Sequence, residues 1–210
     1  LSELDEAERE AAVRRMTNEE ARTAFDLTSG PLLRAQLLRL AAAEHVVLLT
    51  MHHIASDGWS IGVLVREVAA LYEAFTEGRP SPLAELEVQY ADYAAWQRGW
   101  LQGEVLEAQL SYWRQQLGGQ LPVLELPTDR PRPAVQSYKG AQQSFVISAD
   151  LLKAMKELSR REGVTLFMTL LAAFKVLLHR YSGQEDLVVG APIAGRNQSE
   201  TEGLIGFFVN

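Results

Sequence analysis

One stretch limits what this chain can fold into more than any other. The apolar run Val46-Val47-Leu48-Leu49 leads into Thr50-Met51-His52-His53, Asp57-Gly58 follows, and apolar residues then recur at helical spacing. Val46, Leu48, Thr50 and His52 share one face of the strand this predicts, and Val47, Leu49, Met51 and His53 share the other. The two histidines are therefore expected to point to opposite sides and to play different parts. Beyond Gly58, a helix is expected from about Ser60 to Phe75. Its buried stripe is Ile61, Leu64, Val65, Val68, Leu71, Tyr72 and Phe75. Strand, polar turn and amphipathic helix in succession call for a sheet with helices laid on it.

The remaining segments extend that plan. Residues 2–16 are charged and helix-prone, and Thr17-Asn18-Glu19-Glu20 has the spacing of a capping box that opens a second short helix. Leu32 to Leu40 reads as a strand joined in a hairpin to His45 to His53. Helices are expected around Tyr90 to Trp100 and Glu104 to Leu117, with Trp96, Trp100 and Trp113 packing between them. The segment 121–133 holds four of the eight prolines and reads as a semi-extended linker. After it come a strand from Gln143 to Ser148, a helix from Asp150 to Arg161, and a strongly apolar helix capped by Thr165. Asp186 to Pro192 and the residues from Ile205 onward are expected as strands. The class is α/β, helices covering one or more sheets, with the proline stretch joining two lobes.

Bulk properties remove several classes of function. A formal charge of −7 argues against a nucleic-acid surface, which needs a basic patch. Cysteine is absent, so disulfides and thiolate metal sites are excluded. No apolar run approaches the roughly 18 residues of a membrane span, and the acidic start Leu1-Ser2-Glu3-Leu4-Asp5 is no signal peptide. A cytoplasmic protein is expected. Leu1 is not an initiator Met and the last residues are apolar, so the chain is expected to be an internal fragment.

His53 is the candidate catalytic base, since an imidazole titrates near ~6.5 and can accept and release a proton near neutrality. His52 is expected to support it, and Asp57 to organise the loop through an arginine or backbone N–H groups. Gly58 is expected to permit close backbone approach or a positive φ. His52, His53 and Asp57 have metal-ligand chemistry, but opposed side chains and no fourth ligand argue against a metal. His45 and His179 are expected to be structural. No Gly-x-Ser-x-Gly elbow or helical His-x-x-x-His pair is present.

His52-His53-Ile54-Ala55-Ser56-Asp57-Gly58, flanked by Met51 and Trp59-Ser60, resembles the active-site motif of condensation domains of nonribosomal peptide synthetases. Tyr90-Ala91-Asp92-Tyr93-Ala94-Ala95-Trp96 resembles the family's Tyr-x-Asp-(Phe/Tyr)-Ala-x-Trp segment. Ile205-Gly206-Phe207-Phe208-Val209-Asn210 resembles its Ile/Val-Gly-x-Phe-Val-Asn segment. The resemblance implies two chloramphenicol-acetyltransferase-like lobes, both incomplete here. It places the later part of the first lobe at 1–128, a proline-containing linker at 129–141, and the early part of the second lobe at 142–210. It implies amide formation between a donor acyl or peptidyl thioester and an acceptor aminoacyl thioester. Both are carried on the 4′-phosphopantetheine arms of partner carrier domains beside an adenylation domain, with no cofactor bound directly. His53 is then the residue that meets the amine, as base or by positioning it, and the Gly58 N–H a donor to the oxyanion. In the family an arginine pairs with the motif aspartate. That partner is expected upstream of Leu1, with Arg66 and Arg196 as the candidates inside this chain. Epimerisation, a stand-alone acyltransferase using coenzyme A, and a non-catalytic docking module are the alternatives. Gly58-Trp59-Ser60, rather than Gly-Val-Ser, favours condensation over epimerisation.

Overall fold

Helix α1 runs Glu6–Arg22 without interruption. Asp5 caps it, its carboxylate accepting the Glu8 N–H at 2.8 Å, and Glu6 and Glu8 favour the positive end of the helix dipole. The second helix expected to open at Thr17 is instead the last turn and a half of α1. No Gly or Pro interrupts the segment, and the Arg15–Glu19 pair at 3.7 Å spans Thr17. The coordinates are those of a computed structural model, and they describe residues 1–137 and 140–210.

Strands β1 (Leu33–Arg39) and β2 (His45–Met51) form an antiparallel hairpin in the register Leu33↔Met51 to Arg39↔His45. Helix α1 is fastened to it by a partly buried ion pair. Arg34 Nε meets Glu20 Oε1 at 2.6 Å, and Gln36 donates to Glu20 Oε2 at 3.0 Å. The Arg34 guanidinium lies 3.9 Å over the Phe25 ring.

Helix α2 (Gly58–Thr76) follows, then α3 (Tyr90–Trp100) and α4 (Gly103–Gln116). The buried face of α2 is not the expected stripe. Ser60, Val63 and Ala74 are buried, whereas Val65, Tyr72 and Phe75 are exposed. Periodicity finds an apolar face without saying what covers it, and of the expected stripe only Leu64 and Leu71 are even half-buried. Trp96 and Trp100, expected between helices, stack on each other along α3 at 5.6 Å and 5°.

The chain divides into two compact units, one of residues 1–107 and 192–210, the other of residues 108–191. The second holds α5 (Ala149–Arg161) and α6 (Leu166–Ser182), capped by Ser148 and Thr165. Ser159 and Thr169 hydroxyls join the two helices at 2.7 Å. Gly183 closes α6 at φ 71°, in the left-handed conformation that favours glycine. His179 is structural, its Nδ1 donating to the Gln184 carbonyl at 2.9 Å. The Gln184 side chain clamps the segment before the linker, accepting the Glu125 N–H and donating to the Val123 carbonyl, both at 2.9 Å. The expected linker over 129–141 includes Tyr138 and Lys139, which lie outside the described residues.

The strands expected at Gln143–Ser148, at Asp186–Pro192 and from Ile205 onward are absent among the described residues. A strand needs a neighbour to complete its ladder, and the apolar composition that suggested these three cannot supply one. Phe145 and Val146 are 83% and 94% exposed. Near the last of them, Ile193 and Asn210 do exchange a reciprocal pair of backbone bonds, at 2.9 and 3.0 Å.

Candidate active site

Strand β2 stops at Met51, two residues earlier than expected, although the His52 N–H still reaches the Leu32 carbonyl at 3.0 Å. From there the backbone tightens into a 3-10 turn, His53–Ala55, with His52 as its cap. His52 Nδ1 accepts the Ile54 N–H at 3.1 Å, so that nitrogen carries no proton. Its ring stands edge-on to Phe25 at 5.6 Å.

His53 differs in the role of its Nδ1. Its Nδ1 lies 2.7 Å from the Ser56 carbonyl oxygen. A carbonyl only accepts, so Nδ1 is the protonated nitrogen and Nε2 is left free to take a proton. Its ring meets Phe207 edge-to-face at 5.2 Å and 88°. The two histidines therefore do serve different neighbours, through a turn rather than through the alternation of a strand.

Asp57 caps α2 and does more than cap it. Oδ1 accepts the Ser60 N–H at 2.9 Å, the Ser60 hydroxyl at 2.8 Å and Arg196 Nη2 at 3.2 Å. Oδ2 accepts the Phe208 N–H at 3.0 Å. Burial pushes this carboxyl up, but the Ser60 and Phe208 N–H groups, the Ser60 hydroxyl and Arg196 outweigh it and hold the pKa at about 2. Of the two candidates inside this chain, it is Arg196 that pairs with Asp57. Its side chain and that of Asp57 are 1% and 3% exposed. Arg196 also donates to the Thr201 and Leu204 carbonyls and lies 4.0 Å from the centre of the Phe208 ring. Among the described residues its Nε has no acceptor.

Ser60, fully buried, was not singled out from the sequence. Its hydroxyl contacts Asp57, Arg196 at 2.9 Å, and both the carbonyl and the N–H of Gly206 at 2.8 and 3.0 Å. Its spacing, three residues after Asp57 at the start of the helix, was the signal the sequence offered. Trp59 donates its indole N–H to the Glu202 carbonyl at 2.9 Å. Gly58 begins α2 and is not among the positive-φ glycines, so left-handed backbone does not explain it. A Cβ there would meet nothing within 4 Å, so close approach by its neighbours does not explain the glycine either.

Two other glycines are sterically required. Gly195 holds φ 69°, and a Cβ on it would strike the Phe208 carbonyl. A Cβ on Gly206 would strike the Tyr90 ring and come within 2.8 Å of Phe208 Cε2. Tyr90 cannot swing away freely, because its hydroxyl donates to the Phe207 carbonyl at 2.8 Å and its ring packs on Phe208 at 5.2 Å. Gly206→Ala is expected to destabilise the protein by about 1–3 kcal/mol, as overpacking does. The denaturant midpoint checks this, and an unchanged midpoint refutes it.

With this geometry in place, comparison with known proteins is direct. The condensation-domain family model matches residues 1–210. A linear gramicidin synthase polypeptide from Brevibacillus parabrevis is 60% identical over 210 residues, which is 100% of this chain and 3% of that protein. A solved complex of the X-domain and OxyB from teicoplanin biosynthesis aligns with a TM-score of 0.85 and 32% identity. It covers 95% of this chain and 45% of that one. The first condensation domain of the CDA synthetase aligns with a TM-score of 0.74 at 22% identity, over 96% of this chain and 44% of that one, a likeness of fold. The chain thus spans less than half of these solved chains and a small part of the synthase. These neighbours carry the chloramphenicol-acetyltransferase-like fold, as expected for this chain.

Proposed function

The chain belongs to the condensation-domain family, and from that premise we propose that the protein containing it forms amide bonds between carrier-bound thioesters in nonribosomal peptide synthesis. The substrates are a donor acyl or peptidyl thioester and an acceptor aminoacyl thioester. Each is held on the 4′-phosphopantetheine arm of a carrier domain, with an adenylation domain alongside. In the same reading, residues 1–128 belong to a first lobe, 129–141 to the linker and 142–210 to a second lobe.

One observation carries the proposal. The Ser56 carbonyl accepts a hydrogen bond from His53 Nδ1–H at 2.7 Å and so presents Nε2 as the free basic nitrogen. The acceptor amine attacks the donor thioester carbonyl. Nε2 accepts a proton from the amine, or holds the amine in line while charge develops on it. The carbonyl oxygen becomes an oxyanion, and the first N–H groups of α2 lack intrahelical acceptors. Gly58 N–H, the first of that helix, is the donor proposed for that oxyanion. Collapse of the intermediate forms the amide and expels the donor thiolate, which recovers a proton. Asp57 and Arg196 contact neither substrate; they hold the loop that presents His53.

The test is reconstitution of the intact protein with a donor-loaded and an acceptor-loaded carrier domain, read by intact-mass spectrometry and, after hydrolysis of the thioesters, by chiral chromatography of the released residues. The expected product is an amide lengthened by the donor residue on the acceptor arm, with a free thiol on the donor arm. Inverted stereochemistry on one arm without transfer would instead establish epimerisation, and no change on either arm would overturn the proposal.

A further inference from the structure

Three successive residues near the C-terminal end are each tied to a different side chain of the same unit. Gly206 is held through both its backbone groups by the Ser60 hydroxyl, and the Phe207 carbonyl accepts from the Tyr90 hydroxyl. The Phe208 N–H is taken by Asp57 Oδ2. A backbone fixed at three consecutive positions leaves the Phe207 side chain little choice of direction. Phe208 supplies the core, at 5% exposure, whereas Phe207 is 39% exposed. The ring of Phe207 lies edge-to-face with His53, at 5.2 Å and 88°. It also stands at the position that the Ile/Val-Gly-x-Phe-Val-Asn pattern leaves open.

We propose that Phe207 is a positioning residue for His53. The Nδ1–H to Ser56 bond fixes one edge of the imidazole, but a single hydrogen bond permits the ring to rock about it. The Phe207 ring closes that freedom and shields one side of the imidazole from water, so that Nε2 keeps one direction toward the amine. Edge-to-face geometry suits the purpose, because the quadrupoles of the two rings favour it over parallel contact. Asp57, Ser60 and Tyr90 then have a shared task, which is to aim this ring. The inference rests on the amide-forming reading of His53.

The intact protein with loaded carrier domains is the test system. Phe207→Leu is expected to lower kcat about tenfold with the acceptor KM unchanged, since loss of alignment alone costs up to ~10²-fold. Phe207→Met, a second variant without a ring, should behave alike, and Phe207→Tyr, which restores the ring, should recover most of the rate. A readout free of the reaction is carbethoxylation of His53 by diethylpyrocarbonate, followed by peptide mass spectrometry. It should run severalfold faster in the Leu and Met variants and return to the parent rate with Tyr. Normal rate or unchanged carbethoxylation in both ring-less variants overturns the proposal, as does a Tyr variant no better than Leu. If His53→Ala were fully active, the amide-forming role of His53 would fail instead, while the labelling would still report the contact.

Discussion

Replacing His53 by alanine in the intact protein is expected to slow amide formation by roughly 10²–10⁴-fold, the range over which a positioned acid–base group contributes. The carrier domains should still load and dock, so the loss falls on kcat and not on KM for either carrier. Stability should hardly move, because the His53 ring is exposed and its one hydrogen bond, to the Ser56 carbonyl, closes a short local turn. His53→Gln separates the two parts the imidazole could play. A glutamine amide can hold an amine in line but cannot take its proton at neutral pH, so partial recovery measures the share due to positioning. Single-turnover rates with loaded carriers decide the matter. An alanine variant at the parent rate would remove His53 from the mechanism.

The second large effect lies beneath the site. Asp57→Asn is expected to cost about 3–5 kcal/mol, the range for breaking a buried ion pair by removing one partner. The reason is on both sides of the bond. Arg196 is left as an uncompensated buried cation, and whichever way the amide turns, its NH₂ must face a donor that a carboxylate oxygen now accepts. Replacing both residues, as in Asp57→Asn with Arg196→Met, should recover part of the loss because no buried charge remains. The pH dependence follows in sign from the depressed carboxyl. With a folded pKa of about 2 against an ordinary 3.8, the stabilisation is complete above the unfolded value and is lost as pH falls from about 3.8 toward 2. The shift is worth about 2 kcal/mol. The penalty of Asp57→Asn should therefore shrink in that acid window. Denaturant unfolding at neutral and acid pH checks both statements, and a neutral-pH penalty under about 1 kcal/mol refutes the buried-pair account.

Helices whose ends carry their own chemistry were legible in the sequence. Thr165 caps α6, α4 opens at Gly103, one residue from the expected start, and α3 spans the expected Tyr90 to Trp100. The hairpin was legible too, because alternation and a short connection are local properties. What the sequence withheld was mutual. Arg196 was one of two arginines considered for Asp57, and nothing at position 196 distinguishes a buried guanidinium from a solvated one. Ser60 looked like one more polar residue at the start of a helix. The strands expected near Phe145, Val188 and Phe207 failed for the same reason, since a ladder belongs to two segments and a single segment shows only its readiness. His52 and His53 show a subtler failure. Alternation correctly separated them, yet a 3-10 turn and not a strand performs the separation.

The bonds that scaffold the motif join residues far apart in the chain, 139 residues for Asp57 with Arg196, 146 for Ser60 with Gly206 and 151 for Asp57 with Phe208. That separation sets an order in time. During synthesis at ~5–20 residues per second, the motif waits roughly 7–30 s before the residues that fix it are made. Meanwhile the segment 108–191 can bring α5 and α6 together through local contacts, which close fastest. The motif loop, with Asp57 still lacking its buried cation, is translated before those helices and becomes rigid after them. A ribosome that stalls before Arg196 would hold a nascent chain whose histidines are present and whose active-site geometry is not.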